Sequence, residues 1–363
     1  MAKTTKKRLR ATWLQVHKWI GLTLAILIIP IALTGSVLVW KSWVDQQLQP
    51  QRYASLGPAT LAPSVYAKAV TSGLKAEERL SELRYQKGGK PLIAVITKPS
   101  EGRPTRTQLW IDPRDASIID RAPGNSGIIQ VMHNLHGSLM VPGWGRSIVG
   151  WVGAFMFVSC LTGIWLWWPL SGGFRSGLRW KRRNTANANL HYLAGFWVLF
   201  PLAMLSLTGA WISFPKVFGK FESRPPVTID RERAARAQPL ATPNLGVDAA
   251  AAAAAPFAKG PLTSIAWPTD QVPKWKVNFG SAAVPVDDAT AKASAPPPPP
   301  PETLARTMRR WHDGTGMGPV WQTIIFLGGI IPALLSITGI IIWWRARTPR
   351  SRARRSGLAR SAA

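Results

Sequence analysis

Four stretches of the chain are apolar for long enough to cross a bilayer: 19–40, 147–168, 191–214 and 321–344. About 20 residues of helix span the roughly 30 Å hydrocarbon layer, so each is expected as a transmembrane helix. Pro30, Pro201 and Pro332 fall inside these runs and are expected to kink them locally. The first run follows a basic segment, as in a signal peptide, but it is too long for one and has no A-x-A-like cleavage site. Between the runs the pattern changes. In 41–146, Pro63–Glu77 has helical spacing, and Leu83–Lys98 and Thr107–Asp120 read as strands broken by turns at Gly88-Gly89 and Asp112-Pro113. In 215–320 the pattern is weaker: an alanine run (Ala249–Ala255), short strand candidates at Leu262–Trp267 and Trp275–Phe279, then a proline run (Pro296–Pro301) expected as an extended linker. A smaller or partly disordered second module is expected there. The pattern predicts a membrane all-α four-helix bundle with α+β modules between helices one and two and between three and four.

Composition supports a membrane protein. There are 19 Trp against 4 Tyr, and many of the indoles stand at the ends of the apolar runs, where an aromatic belt sits. The net charge of +28 is unevenly placed. Segments 1–18, 169–190 and 345–363 carry six, five and seven Lys/Arg and no Asp or Glu, while all 17 acidic residues lie in 41–146 and 215–320. That is the positive-inside pattern of a multi-pass membrane protein. It makes the three basic segments cytoplasmic, with both termini inside, and the two long loops periplasmic. The charge therefore points to anionic membrane lipid and not to nucleic acid. The single Cys160 rules out a disulfide framework and a cysteine metal site, and without C-x-x-C-H no c-type heme can be attached.

An internal repeat organises the remaining chemistry. Each run carries a related tripeptide: Leu33-Thr34-Gly35, Leu161-Thr162-Gly163, Leu207-Thr208-Gly209 and Ile337-Thr338-Gly339. His17 precedes Thr34 by 17 residues and His191 precedes Thr208 by 17; His136 precedes Thr162 by 26 and His312 precedes Thr338 by 26. The chain thus reads as two parallel two-helix repeats, related by a pseudo-two-fold axis along the membrane normal. His133 has no counterpart, because Arg309 stands at the equivalent position.

Such an axis brings His17 to His191 near the inner surface and His136 to His312 near the outer one. Two opposed imidazoles in a helix bundle suit the axial positions of a heme iron, so two hemes b are expected, with these four histidines as ligands. Zinc or copper at the same histidines is the main rival, but no carboxylate or thiol recurs in register to complete a tetrahedral site. Gly35 and Gly209 would pack near the outer heme and Gly163 and Gly339 near the inner one, or serve plain helix–helix packing. Arg146, Arg309 and Arg310 are candidates for pairing with heme propionates, or are ordinary interface anchors. Asp313 is a candidate to orient His312. No side chain offers a nucleophile or an acid–base dyad, so no catalytic residue is assigned.

The motifs Val16-His17-Lys18-Trp19-Ile20-Gly21-Leu22, His136-Gly137-Ser138-Leu139 with Gly145-Arg146, His312-Asp313-Gly314 and the four Thr-Gly pairs together resemble the PepSY-associated transmembrane family. Within it they are similar to the iron-regulated inner-membrane ferrisiderophore reductases of the ferrioxamine type. Trp110-Ile111-Asp112-Pro113 is similar to part of a PepSY module, whereas 215–320 matches one poorly. The resemblance implies two b-type hemes, periplasmic modules, and an oxidoreductase that reduces ferric siderophores or other ferric chelates for iron uptake. Unlike fused members of the family, the chain shows no flavin or nicotinamide domain after the fourth run. Quinol or a cytoplasmic reductase is then the expected electron donor. Two readings from other classes stand beside it: a membrane-anchored PepSY module that binds or regulates a partner without catalysis, and a siderophore transport component.

Overall fold

The computed structural model describes residues 2–54, 57–100, 104–124, 126–168, 174–180, 183–221, 236–298 and 302–347. Its helices are α1 (Ala2–Val39), α2 (Lys41–Leu48), α3 (Pro63–Thr71), α4 (Ile128–Ser138), α5 (Gly145–Trp167), α6 (Phe174–Gly177), α7 (Ala186–Ser213), α8 (Pro215–Phe218), α9 (Val247–Ala254), α10 (Leu304–Asp313) and α11 (Gly318–Arg347). Its strands are β1 (Arg79–Arg84), β2 (Leu92–Lys98), β3 (Thr105–Ile111), β4 (Ile118–Pro123), β5 (Leu262–Ala266), β6 (Lys274–Phe279) and β7 (Ala282–Asp287). The chain divides into a helical unit (1–41, 128–225 and 302–363) and a sheet unit (42–127 and 226–301).

In the helical unit, α1, α5, α7 and α11 are long and apolar enough to cross a membrane. α1 passes through Lys18 without a break, and α7 starts at Ala186, where Thr185 caps it by accepting a hydrogen bond from Ala188 N. Helices α1, α7 and α11 continue through Pro30, Pro201 and Pro332. The four long helices form a ring in which α1 packs on α5 and α11, and α7 packs on α11 and α5. Two short helices lean on it, α4 on α1 and α10 on α7. These short helices carry His136 and His312, and both group with the long helices although the sequence reading placed them in the outer modules. Glycine sets the closest approaches. A β-carbon on Gly329 of α11 would lie 2.8 Å from the Ala32 carbonyl oxygen of α1, and one on Gly153 of α5 would lie 3.0 Å from the Ser206 carbonyl oxygen of α7.

In the sheet unit, both loops build a single antiparallel sheet of order β4-β3-β2-β1-β5-β6-β7 among the described residues. This corrects the expectation of two separate modules. The alanine run is α9, and β5 and β6 fall on the expected strands. β7 was not foreseen: Pro285 and three alanine or aspartate positions weaken its strand signal. One face of the sheet buries Leu83, Leu92, Ile111, Ile265, Trp275 and Val286 beneath Tyr66 and Val70 of α3 and Ala250 and Ala254 of α9. α3 starts with Pro63 at its first turn and ends at Thr71, ahead of the expected Glu77, because Ser72-Gly73 stops it. On the other face, Arg52 stacks over Trp110 at 3.9 Å and pairs with Asp120.

The central ladder has a pattern of its own. Leu83 of β1 lies opposite Ile265 of β5. On one side Tyr85 N donates to Thr263 O at 2.9 Å, and on the other Trp267 N donates to Ser81 O at 3.0 Å. The turns after β3 and β7 also match. Asp112 O accepts from Ala116 N and Asp287 O from Ala291 N, with Ala116 at φ +62° and Ala291 at φ +56°. After β7 only a bridge between Val286 and Ala293 stands where β4 follows β3. Pro296–Pro298 form neither helix nor strand, and Pro299–Pro301 lie outside the described residues.

Candidate functional site

The histidines sit on four helices: His17 on α1, His136 on α4, His191 on α7 and His312 on α10. Each imidazole meets a Thr-Gly pair of a neighbouring helix. His17 Nδ1 lies 2.9 Å from Thr162 Oγ1 of α5, His191 Nδ1 2.9 Å from Thr338 Oγ1 of α11, and His312 Nδ1 3.0 Å from Thr208 Oγ1 of α7. His136 departs from this, with its Nδ1 2.8 Å from the Ile31 carbonyl of α1. The glycine after each threonine gives the ring its room. A β-carbon on Gly35 would lie 2.6 Å from His136 Cε1, on Gly209 3.1 Å from His312 Cε1, on Gly163 3.4 Å from His17 Cε1, and on Gly339 3.6 Å from His191 Cε1. What each of these glycines touches is imidazole: Gly35 and Gly209 meet His136 and His312, and Gly163 and Gly339 meet His17 and His191.

His136 and His312 face one another with ring centroids 6.0 Å apart and planes inclined by 42°. A metal–imidazole bond is about 2.0 Å and half a ring adds about 1 Å on each side, so two imidazoles on one metal ion place their centroids about 6 Å apart. Both Nδ1 atoms are engaged by the protein, which leaves Nε2 of each ring for a ligand. Burial holds the His136 ring below its ordinary pKa, and burial with the neighbouring His136 pushes His312 down to about 4. Both rings are then neutral at pH 7 and carry the lone pair a metal ligand needs.

His17 and His191 line one cavity of about 530 Å³ inside the helical unit. Its walls include Gly163, Gly339, Trp167 and Trp343, and most of the remaining lining is aliphatic. A mostly apolar cavity lined by two imidazoles is suited to a flat, largely hydrophobic ligand that offers a metal. Among the described residues no three or more His, Cys, Asp or Glu side chains come together as a metal-binding group. Each pair thus offers two imidazole nitrogens and no third side-chain donor among the described residues.

Other candidates are placed differently. His133 is exposed on α4. Arg146 donates to the Ile212 carbonyl at the end of α7, and Arg310 pairs with Glu302 at 3.2 Å, so both have protein partners. Arg309 is exposed beside His312 and makes no hydrogen bond or ion pair with the described residues. Asp313 Oδ1 accepts from Thr315 N and so helps to close the turn after α10. The threonines were seen in the sequence only as part of a motif. Their invariable place one residue before the glycine is the signal that would have flagged them.

A search of the curated proteins found no match. The family model described as the PepSY-associated TM region matches residues 14–346. That span holds all four paired histidines, all four Thr-Gly pairs and both loops of the sheet. The chain is a multi-pass membrane protein and belongs to the PepSY-associated TM region family.

Proposed function

We propose that the chain holds two b-type hemes, one between His17 and His191 and one between His136 and His312, and carries electrons across a bacterial inner membrane to a ferric chelate, foremost a ferric siderophore. The observation that carries this reading is the pair of neutral, opposed imidazoles 6.0 Å apart. The cavity shared by His17 and His191 supports the second site. When bound, heme b supplies a reversible one-electron carrier at each place. The chain's own residues hold the iron through two Nε2 lone pairs per site and keep water out with apolar walls.

The duplicated contacts support two parallel repeats. Exchanging α1 for α7, α4 for α10 and α5 for α11 turns each helix contact of the ring into another that is present. The charge distribution supports cytoplasmic termini and a periplasmic sheet unit. The donor would be quinol or a cytoplasmic reductase. Reduction serves iron release because hard oxygen donors hold ferric iron more firmly than ferrous iron. An anchored binding module or a transport component has no use for four imidazoles held in this way.

The test is the visible spectrum of protein purified from heme-supplied cells, oxidised and then reduced, with a hemochrome count. A b-type spectrum with about two hemes per chain, reoxidised by a ferric hydroxamate, is expected. A colourless protein that still binds the chelate would replace this reading with a docking or transport role.

A further inference from the structure

A hydroxyl has one proton to give. In all four Thr-Gly pairs that proton is spent within the helix. Thr162 Oγ1 donates to Ser159 O at 3.0 Å, Thr208 Oγ1 to Met204 O at 2.7 Å, and Thr338 Oγ1 to Leu334 O at 2.9 Å. Towards the histidine each of these oxygens can therefore only accept. The Nδ1 of His17, His312 and His191 also meets the carbonyls of Ser159, Leu205 and Leu335, which likewise only accept, so hydroxyl and carbonyl together place the ring proton on Nδ1 and the lone pair on Nε2. At His136 the partner is the Ile31 carbonyl, which can only accept, so the same tautomer follows. All four rings are thus set alike, with Nδ1–H held by the protein and Nε2 presented. Thr34 is the exception among the threonines. Its hydroxyl donates to Pro30 O at 2.6 Å and Ile31 O at 3.1 Å, and it is the carbonyl, not the hydroxyl, that takes His136.

We propose that Thr162, Thr208 and Thr338 are positioning residues that fix the tautomer and orientation of His17, His312 and His191 and strengthen them as metal ligands, and that Thr34 does not do so despite sharing the motif. This rests on the heme reading. The physical reason is that an imidazole whose N–H is held by an acceptor is a stronger donor through its other nitrogen and is not free to turn. A stronger donor favours the ferric state, so each of these hydrogen bonds lowers the potential of the site it serves. The four threonines share one motif; the hydrogen bonds from the imidazoles divide them three to one.

The experiment compares Thr208→Val, Thr338→Val and Thr34→Val with Thr208→Ser and Thr338→Ser in the full-length protein. It reads midpoint potential by redox titration of the visible bands and heme affinity by transfer to an apo-globin acceptor. Valine keeps the shape of threonine and removes the hydroxyl acceptor, leaving the Leu205 and Leu335 carbonyls beside the rings. Thr208→Val and Thr338→Val are expected to raise the potential of one site each and weaken heme affinity about 10- to 100-fold. The serine variants are expected to restore both, and Thr34→Val to match the unaltered protein. Wild-type potential and affinity in Thr208→Val and Thr338→Val would overturn the proposal, and so would a Thr34→Val effect as large as theirs. An unaltered protein that contains no heme would fail one step earlier, at the reading on which the proposal rests.

Discussion

Gly35 has the least room of the four motif glycines, since a β-carbon there would lie 2.6 Å from His136 Cε1 and 2.9 Å from its Nδ1. The ring cannot retreat without losing its bond to Ile31 O or its place opposite His312. Gly35→Ala is therefore expected to lose one heme, leaving about one per chain by hemochrome count, as overpacking in a filled site forces its neighbour to move. At Gly163 and Gly339 the added carbon would meet His17 and His191 at 3.4 and 3.6 Å, near ordinary contact, so alanine is expected to be tolerated there with both hemes retained. Equal loss at all four positions would mean that the glycines act on something other than the rings they touch. His133 is exposed and makes no such contact, so His133→Ala is expected to leave the heme count unchanged. The sequence showed which histidines belong to the repeat, but it named no hydrogen-bond partner for any of them. His17 is in register with Thr34 on its own helix, while its hydrogen bond goes to Thr162 on α5. Spacing along one helix cannot say which neighbour that helix will face.

Helix α4 ends in a turn with Leu139 at φ +52° and Met140 at φ +59°, and the chain then doubles back into α5. Gly145 opens α5 against the end of α4, where a β-carbon would lie 1.9 Å from the Ser138 carbonyl oxygen. Gly145→Ala is expected to open this turn and displace His136. The variant should melt lower in detergent and lose one heme, and unchanged melting would show that the turn has slack. The membrane helices were legible because a long apolar run needs only local information. Their ends were less so: α1 and α11 extend into Lys18 and Arg347, charged residues whose long side chains can reach out of an apolar layer. α4 and α10 were harder to place because they are short and amphipathic, and only their packing on α1 and α7 assigns them to the helical unit.

At the scale of the whole molecule, each half of the chain supplies part of both units. The sheet joins at β1 and β5, which come from different loops, and Leu83 and Ile265 meet fully buried at its centre. Deleting residues 236–298 would leave the edge of β1 unpaired and uncover half of the core beneath α3. Such a chain is expected to be cut by protease within 42–127 under conditions in which the intact protein is not; equal resistance would show that the first loop folds alone. This joining was not legible in the sequence. Alanine and proline mask the strand pattern of the second loop, and pairing between distant segments leaves no local mark. Electron transfer through two hemes requires the four histidines to act as two pairs across the repeat. The deciding measurement is the heme content and visible spectrum of His17→Ala, His191→Ala, His136→Ala and His312→Ala. His17→Ala and His191→Ala should each lose the same heme, and His136→Ala and His312→Ala the other, leaving about one per chain in every case. Retention of both hemes in any of the four, or loss of the same one in His17→Ala and His136→Ala, would contradict it.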